Sequence, residues 1–332
     1  MRNKMTPVYI LSGFLGSGKT TLLTRLLQHW KQEGLKPAVV MNEIGEVNID
    51  SLAAGADVPT SELLSGCVCC TIRADFAAEL GMLLQRDRPD VIVVEATGAA
   101  NPMEILDGVA EASLYLNIEL QQMITVVDTP HLLHLHREQR AKTYRLMQEQ
   151  IRCANVLILN KADRLSQDEL SEVTEIVEKW NRSAAAFEAV RCHVDLEPML
   201  SAVSRSEQSA AVPEGAVDDE ILNTPGRSFK AGAASHDTHA HVMSYTHHLQ
   251  GPLDSRKFEA WIRELPRDIY RAKGILTFQD TASRYLFQYA FRETDYTRLP
   301  QEVELRDVLV FIGEQFDRTA LKQQLQKLSE PT

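Results

Sequence analysis

The sequence predicts an α/β fold in which a doubly wound, mostly parallel sheet is followed by a smaller C-terminal α+β domain. Three observations carry this expectation. Between residues 8 and 192, short β-branched runs alternate with longer amphipathic stretches, the pattern of a sheet covered by helices on both faces. The first run leads at once into a glycine-rich loop and then a helical pattern. Between 201 and 239 the periodicity lapses into Ser, Ala, Pro, Gly and acidic residues, which marks a connection between two units. The domains are therefore expected at 1–200 and 240–332, with 201–239 as linker.

In chain order the expected strands of the first domain are Val8–Leu11, Ala38–Met41, Val91–Glu95, Ile124–Asp128, Val156–Asn160 and Phe187–Val190. Each is too short for a buried helix, and most are continuously apolar where a half-exposed strand would alternate. Functional residues of such a sheet gather at the carboxyl ends of its strands. After 240 the order of elements changes. A strand pattern at His241–Thr246 precedes a helix through Phe258, Trp261 and Ile262. Strands at Ala272–Phe278, Arg284–Tyr289 and Val308–Ile312 follow, and a closing helix runs through Leu321, Leu325 and Leu328. No internal repeat is evident.

Composition bounds the function. The 332 residues exceed one small core and suit a domain of about 200 residues plus a smaller one. With 35 Lys and Arg against 46 Asp and Glu the net charge is −11, so no generic basic surface exists to neutralise a phosphodiester backbone, and nucleic acid is not an expected partner. No apolar stretch approaches the roughly 18 residues of a membrane span, and Arg2 and Lys4 lead directly into a strand, not a signal segment. A cytoplasmic protein without a membrane partner is expected. Of five cysteines, three are packed into Cys67, Cys69 and Cys70, which suits metal or redox chemistry better than a disulfide framework.

The glycine-rich loop is Gly13-Phe-Leu-Gly16-Ser17-Gly18-Lys19-Thr20. Its glycines let the backbone curl so that successive N–H groups point inward at a phosphate chain. Lys19 reaches the outer phosphates, and the Thr20 hydroxyl can ligate Mg²⁺. The helix that follows adds its positive end, and Ser17 and Thr21 complete the nucleotide-binding set. The first domain is thus expected to be a P-loop nucleoside triphosphatase.

Asn160-Lys161-Ala162-Asp163 ends the apolar run Val156–Leu159 and matches the guanine signature N-K-x-D. An ionised Asp163 accepts two hydrogen bonds from the N1–H and N2–H₂ edge of guanine, a donor pair that adenine lacks, while Asn160 and the Lys161 stem brace the loop and cover the ring. Glu95 ends a buried strand in Val91-Ile-Val-Val-Glu95-Ala-Thr-Gly98. That is the position from which a carboxylate supports Mg²⁺, and the Gly98 N–H can approach the γ-phosphate. Thr97 and Gly98 would sense whether that phosphate is present.

Three thiols within Ser65-Gly66-Cys67-Val68-Cys69-Cys70-Thr71 concentrate soft ligands for Zn²⁺ or Cu(I), and less well for cobalt or iron. No second C-x-x-C completes a closed site, and Cys153 and Cys192 are isolated. The site is expected to be open or completed by an exchangeable ligand, for which Glu43 and Glu46 in Asn42-Glu-Ile-Gly-Glu46 are candidates. His236, His239, His241, His247 and His248 crowd the start of the second domain, either as a low-affinity metal collector or as solvated residues. His131, His134 and His136 open a helix after Asp128, but only 131 and 134 share a face, which argues against a metal site there.

Taken together, the loop at 13–20, N-E-I-G-E-V-N-I-D at 42–50, S-G-C-V-C-C at 65–70, V-E-A-T-G ending at Gly98 and N-K-A-D at 160–163 closely resemble the CobW family of metal-handling P-loop GTPases, of the SIMIBI class. Arg271-Ala-Lys-Gly274 and Val310-Phe-Ile-Gly313 extend the resemblance to the C-terminal domain. The resemblance implies a GTP-dependent, Mg²⁺-requiring metallochaperone. Gly13 to Thr20 would hold the phosphates and Mg²⁺, Glu95 would occupy the Walker B position, Asn160, Lys161 and Asp163 would read guanine, and Cys67, Cys69 and Cys70 would hold the cargo metal. It also implies a client metalloprotein and allows a homodimer. Where some relatives carry an acidic residue before the Asn-Glu pair, this chain has Met41, which leaves Glu43 or Glu46 as the carboxylate. The expected function is zinc delivery on GTP hydrolysis. A metal-sensing or storage module with little turnover, and a GTPase delivering cobalt or iron in cofactor or enzyme maturation, are the alternatives.

Overall fold

The computed structural model describes residues 5–41, 58–62, 71–138, 141–202, 242–281, 283–290, 292–299, 305–314 and 316–329. Seven of the strands among them form one parallel sheet: β1 (Thr6–Ser12), β2 (Pro37–Met41), β3 (Thr60–Glu62), β4 (Val91–Glu95), β5 (Ile118–Asp128), β6 (Val156–Asn160) and β7 (Ala185–Ala189). Their spatial order is β3-β2-β4-β1-β5-β6-β7. The chain builds one half of the sheet after β1 and then crosses to the other side for β5, β6 and β7. The switch point, where a doubly wound sheet opens a crevice, therefore lies at the carboxyl end of β1. Every residue of β2, β4 and β6 is buried, which is why these strands read as unbroken apolar runs.

The helices follow the alternation of the strands. α1 (Lys19–Gln32) buries Leu22, Leu23, Leu26, Leu27 and Trp30 against Val39, Val93 and Ile124. Each fully buried leucine stabilises the packing by about 1.5–3 kcal/mol. α2 (Thr71–Asp87) and α3 (Pro102–Tyr115) cover the opposite face, placing Leu80, Leu83, Leu106 and Val109 on Val8, Ile10, Val40 and Val94. α4 (Thr129–Glu138), α5 (Ala141–Arg152) and α6 (Gln167–Trp180) close over β5 and β6 through Leu132, Met147, Val173 and Trp180. Ser166 and Glu169 form a reciprocal capping box at the start of α6, which stabilises a helix end by satisfying two otherwise orphaned N–H groups. The short α7 (Leu196–Leu200) follows β7.

The second sheet is antiparallel, in the order β11-β10-β9-β12-β8. Its strands are β8 (Val242–His248), β9 (Ile269–Phe278), β10 (Ser283–Ala290), β11 (Glu293–Arg298) and β12 (Val308–Glu314). Leu309 and Phe311 of β12 point to the face covered by α8 (Ser255–Arg263) and α9 (Arg318–Leu328), where they meet Phe258, Leu321 and Leu325. Val308, Val310 and Ile312 point the other way and join the core that contains Leu106 and Val109 of α3. The period-2 alternation of one strand thus binds the two sheets together through α3. Ion pairs frame that seam. Arg271 and Lys273 of β9 approach the fully buried Asp107 at 2.8 and 3.2 Å, Lys273 reaches Glu111 at 2.7 Å, and Arg152 of α5 pairs with Glu314 at 2.8 Å.

Several elements depart from expectation. β5 begins at Ile118, six residues before the expected start, and its register with β1 shifts between Val8 and Tyr9. β7 starts two residues before and ends one residue before the expected Phe187–Val190. β3 has only three residues, and β11 is an exposed edge strand whose Glu-Thr-Asp-Tyr-Thr-Arg sequence carries no apolar face to announce it. Among the described residues, no helix is long and apolar enough to cross a membrane.

Candidate nucleotide and metal site

The described residues expected to bind nucleotide come together at the carboxyl edge of the parallel sheet, where its strands end. Strand register sets Leu11 beside Glu95, Ser12 beside Thr125, and Asp128 beside Asn160. The P-loop leaves β1 there. Gly13, Gly16 and Gly18 all have positive φ, at 140°, 72° and 115°, a region that L side chains rarely enter. At Gly18 space is also decisive, because a Cβ would lie 2.6 Å from Nδ2 of Asn160 and 2.8 Å from Sγ of Cys192. No side chain caps α1, and no acidic residue occupies its first turn, so its N-terminal N–H groups and dipole are directed at an anion site. Lys19 is 7% exposed, and its Nζ donates to the carbonyls of Gly13 at 2.9 Å and Phe14 at 3.4 Å. It is folded over the loop within reach of the phosphate position. Ser17 Oγ is buried without a hydrogen-bond partner among the described residues. Thr21 is exposed on the first turn of α1.

The Mg²⁺ candidates are adjacent. Thr20 Oγ1 lies 3.5 Å from Oε1 of Glu95, which is 7% exposed. A hydroxyl and a buried carboxylate at this distance fit a hard cation with oxygen ligands, directly or through its waters.

The segment expected to read the base is braced against the P-loop. Asn160 donates from Nδ2 to the Ser17 carbonyl at 2.7 Å and accepts at Oδ1 from the Cys192 N–H at 2.8 Å. Lys161, in the left-handed region at φ 63°, donates to the Gly16 carbonyl at 2.8 Å and pairs with Asp128. Asp163 sits in the 3-10 turn Ala162–Arg164, exposed and without a partner among the described residues. Its carboxylate therefore points into solvent on a loop whose neighbours are fixed.

Three residues of this brace escaped the sequence reading. Asp128 ends β5 as Glu95 ends β4, a carboxylate at a strand end that could have been noticed. Cys192 stands isolated in the sequence. It lies in a turn where Arg191 and Cys192 have φ of 49° and 55°, and non-glycine residues in that region give no sequence signal. Arg25 of α1 holds this turn by donating to the carbonyls of Cys192 and Val194. Burial pushes the Cys192 thiol up to about 11, with Arg25 and Lys161 opposing in part. It stays protonated and donates to the Gly18 carbonyl at 3.3 Å. Burial likewise raises Cys153, which is packed in the core beneath α3. Both cysteines serve packing.

Cys67, Cys69, Cys70, Glu43 and Glu46 lie outside the described residues, as do His236, His239 and His241. Their flanking strands are described. β2 ends at Met41, in register with Glu95, and β3 ends at Glu62, in register with Met41. The segments that start at 42 and 63 thus leave the same sheet edge as Glu95, and α2 begins one residue after Cys70. His131 packs against Phe14 with the rings tilted by 55°, His134 pairs with Glu138 at 3.3 Å, and His136 bonds Tyr144 at 2.6 Å. His247 bonds Tyr245 at 3.0 Å. Among the described residues, no group of three or more His, Cys, Asp or Glu could hold a metal.

Comparison with known proteins identifies the family. Residues 7–188 match the family described as "CobW/HypB/UreG, nucleotide-binding domain", and residues 242–329 match "Cobalamin synthesis protein cobW C-terminal domain". The zinc-regulated GTPase metalloprotein activator 1 of Dictyostelium discoideum is 31% identical over 230 residues, covering 59% of this chain and 48% of its own. The zinc chaperone YeiR of Escherichia coli is 29% identical over 241 residues, covering 72% of this chain and 65% of its own. The chain thus spans less than two thirds of the length of these two relatives. The zinc chaperone CobW of Pseudomonas aeruginosa is 28% identical over 354 residues, covering 96% of this chain and 90% of its own. Among solved structures, the Zn(II)-bound YjiA GTPase from E. coli matches 98% of this chain and 99% of its own at 22% identity and a TM-score of 0.47. Matched by the nucleotide-binding domain over more than half its length and by the C-terminal domain after it, the chain belongs to the CobW family of P-loop GTPases.

Proposed function

We propose that the protein is a GTP-hydrolysing metallochaperone that binds a transition metal, zinc foremost, at Cys67, Cys69 and Cys70 and passes it to a client metalloprotein when GTP is hydrolysed. One observation carries this reading. The phosphate loop, the Thr20–Glu95 pair and the Asn160–Asp163 turn share a sheet edge with the ends of β2 and β3, from which the Glu43–Glu46 and Cys67–Cys70 segments depart. The names of the relatives, zinc chaperones and a zinc-regulated activator, favour zinc among the metals that three thiolates could hold.

Each residue has a task in this scheme. Lys19 exchanges its carbonyl partners for phosphate oxygens. Asp163 reads the guanine edge over a turn steadied by Asn160, Lys161 and Asp128. Thr20 and Glu95 would hold Mg²⁺, which when bound neutralises charge on the β- and γ-phosphates. Water adds to the γ-phosphorus, the bond to the β–γ bridging oxygen breaks, and GDP and phosphate leave. The segments after β2 and β3 then lose the γ-phosphate as a common neighbour, and the metal loses a ligand.

The nucleotide half is tested by competition binding. Wild type should prefer GTP to ATP. Asp163→Ala should weaken GTP by about 10- to 150-fold, the loss of hydrogen bonds to a charged acceptor, and leave ATP unchanged. Equal affinity of the wild type for the two nucleotides refutes the guanine assignment.

A further inference from the structure

Gly98 is held from two sides. A Cβ there would lie 2.7 Å from the Leu15 nitrogen and 2.8 Å from the Cγ and Cδ2 of Leu15, so the backbone of residue 98 rests directly on the P-loop. Away from that contact, the Gly98 carbonyl accepts a 3.1 Å hydrogen bond from Nε2 of Gln150. Gln150 is on α5 and is 1% exposed. Its backbone is itself fixed, because Thr125 Oγ1 of β5 donates to the Gln150 main-chain carbonyl at 3.0 Å. Two residues further on, Arg152 ties the same helix to Glu314 of the second sheet. A primary amide is costly to bury unless its hydrogen bonds are made. Here it is buried where it grips the loop that follows Glu95.

We infer that Gln150 is a positioning residue for recognition of the γ-phosphate, acting through Gly98. By holding the Gly98 carbonyl it fixes the plane of the 98–99 peptide and the path of the chain over Leu15. Glycine offers no side-chain barrier to rotation of its peptide planes. Without the amide, the 98–99 peptide also takes orientations that turn its carbonyl oxygen toward the phosphates, where it repels an anion that N–H groups attract. GDP ends before this loop, so the amide governs the triphosphate and leaves the diphosphate alone. Gln150 therefore sets the ratio of GTP to GDP affinity. This rests on the proposed reading of the 95–98 loop as the γ-phosphate neighbour.

The test uses the full chain and Gln150→Met, which keeps the length of the side chain and removes the donor. Affinities for a non-hydrolysable GTP analogue and for GDP are measured with steady-state hydrolysis. Loss of one neutral hydrogen bond should lower analogue affinity by about 3- to 10-fold and kcat with it, with GDP affinity held within about 2-fold. Gln150→Asn keeps a buried amide one methylene short of the carbonyl and should behave alike, so it decides the matter if the methionine variant does not fold. Equal losses for analogue and GDP, or no loss for either, overturn the role of Gln150. A wild type that itself binds analogue and GDP with the same affinity overturns instead the reading of the loop on which the inference stands.

Discussion

Replacing Asp107 by Asn should loosen the seam between the two sheets. Asp107 is fully buried on α3, with Arg271 at 2.8 Å on one oxygen and Lys273 at 3.2 Å on the other. Removing one partner of a buried ion pair costs about 3–5 kcal/mol, because the other charge stays buried without compensation. Two features reduce that figure here. The Arg271 side chain keeps 34% of its surface in water, and Lys273 retains Glu111 at 2.7 Å. We therefore expect a loss of about 2–3 kcal/mol, which for units of this size lowers Tm by roughly 5–10 °C. Calorimetry on the full chain reads it, and a double-mutant cycle with Lys273→Met should give a coupling of about 1–2 kcal/mol. A Tm shift below about 1 °C, or strictly additive effects in the cycle, would refute the claim that this carboxylate holds the second sheet to the first.

Two further outcomes follow from the same geometry. Lys19→Ala should lower kcat for GTP by about 100-fold or more through loss of the cation at the transferring phosphoryl group, measured as phosphate release; near-normal turnover would place the chemistry elsewhere. In the second sheet, burial lowers the His247 pKa below its ordinary value near 6.5, with His248 and Lys322 adding to the effect, and burial lowers His248 too. The folded state then binds fewer protons than the unfolded one as pH falls below 6.5, so this contribution to stability is present at neutral pH and is lost on acidification toward the depressed folded value. Thermal melts at pH 7.5 and 5.5 should show a smaller acid-induced drop in His247→Gln than in wild type, and an identical drop would refute the assignment.

The parallel sheet was legible because β2, β4 and β6 are buried on both faces and therefore continuously apolar. β11 was hidden for the opposite reason, being an exposed edge without a hydrophobic face. Local sequence announced the residues proposed to touch the nucleotide, since the P-loop and the Asn160–Asp163 turn are each complete within a few positions. It did not announce their supports. Lys161 leans on Asp128, Gly98 on Gln150, and Asn160 on Cys192, partners 33, 52 and 32 residues apart that only the folded sheet brings together. Arg271 and Lys273 stood out as part of a C-terminal motif, but their contact with Asp107 spans more than 160 residues. The register of β9 supplies it, setting 271, 273 and 275 on the face turned toward α3.

The measurement that bears most directly on the account is zinc affinity in two nucleotide states. Chelator competition at fixed pH should compare the protein loaded with a non-hydrolysable GTP analogue and with GDP, for wild type and for the combined Cys67→Ala, Cys69→Ala, Cys70→Ala variant. Coupling between two sites of one protein typically amounts to about 1–3 kcal/mol, or roughly 5- to 150-fold, so the analogue-bound wild type should hold zinc more tightly by a factor in that range, and the variant should lose both the affinity and the difference. Identical zinc affinity in the two states, or affinity that survives loss of all three thiols, would contradict GTP-gated delivery however well the protein hydrolyses GTP.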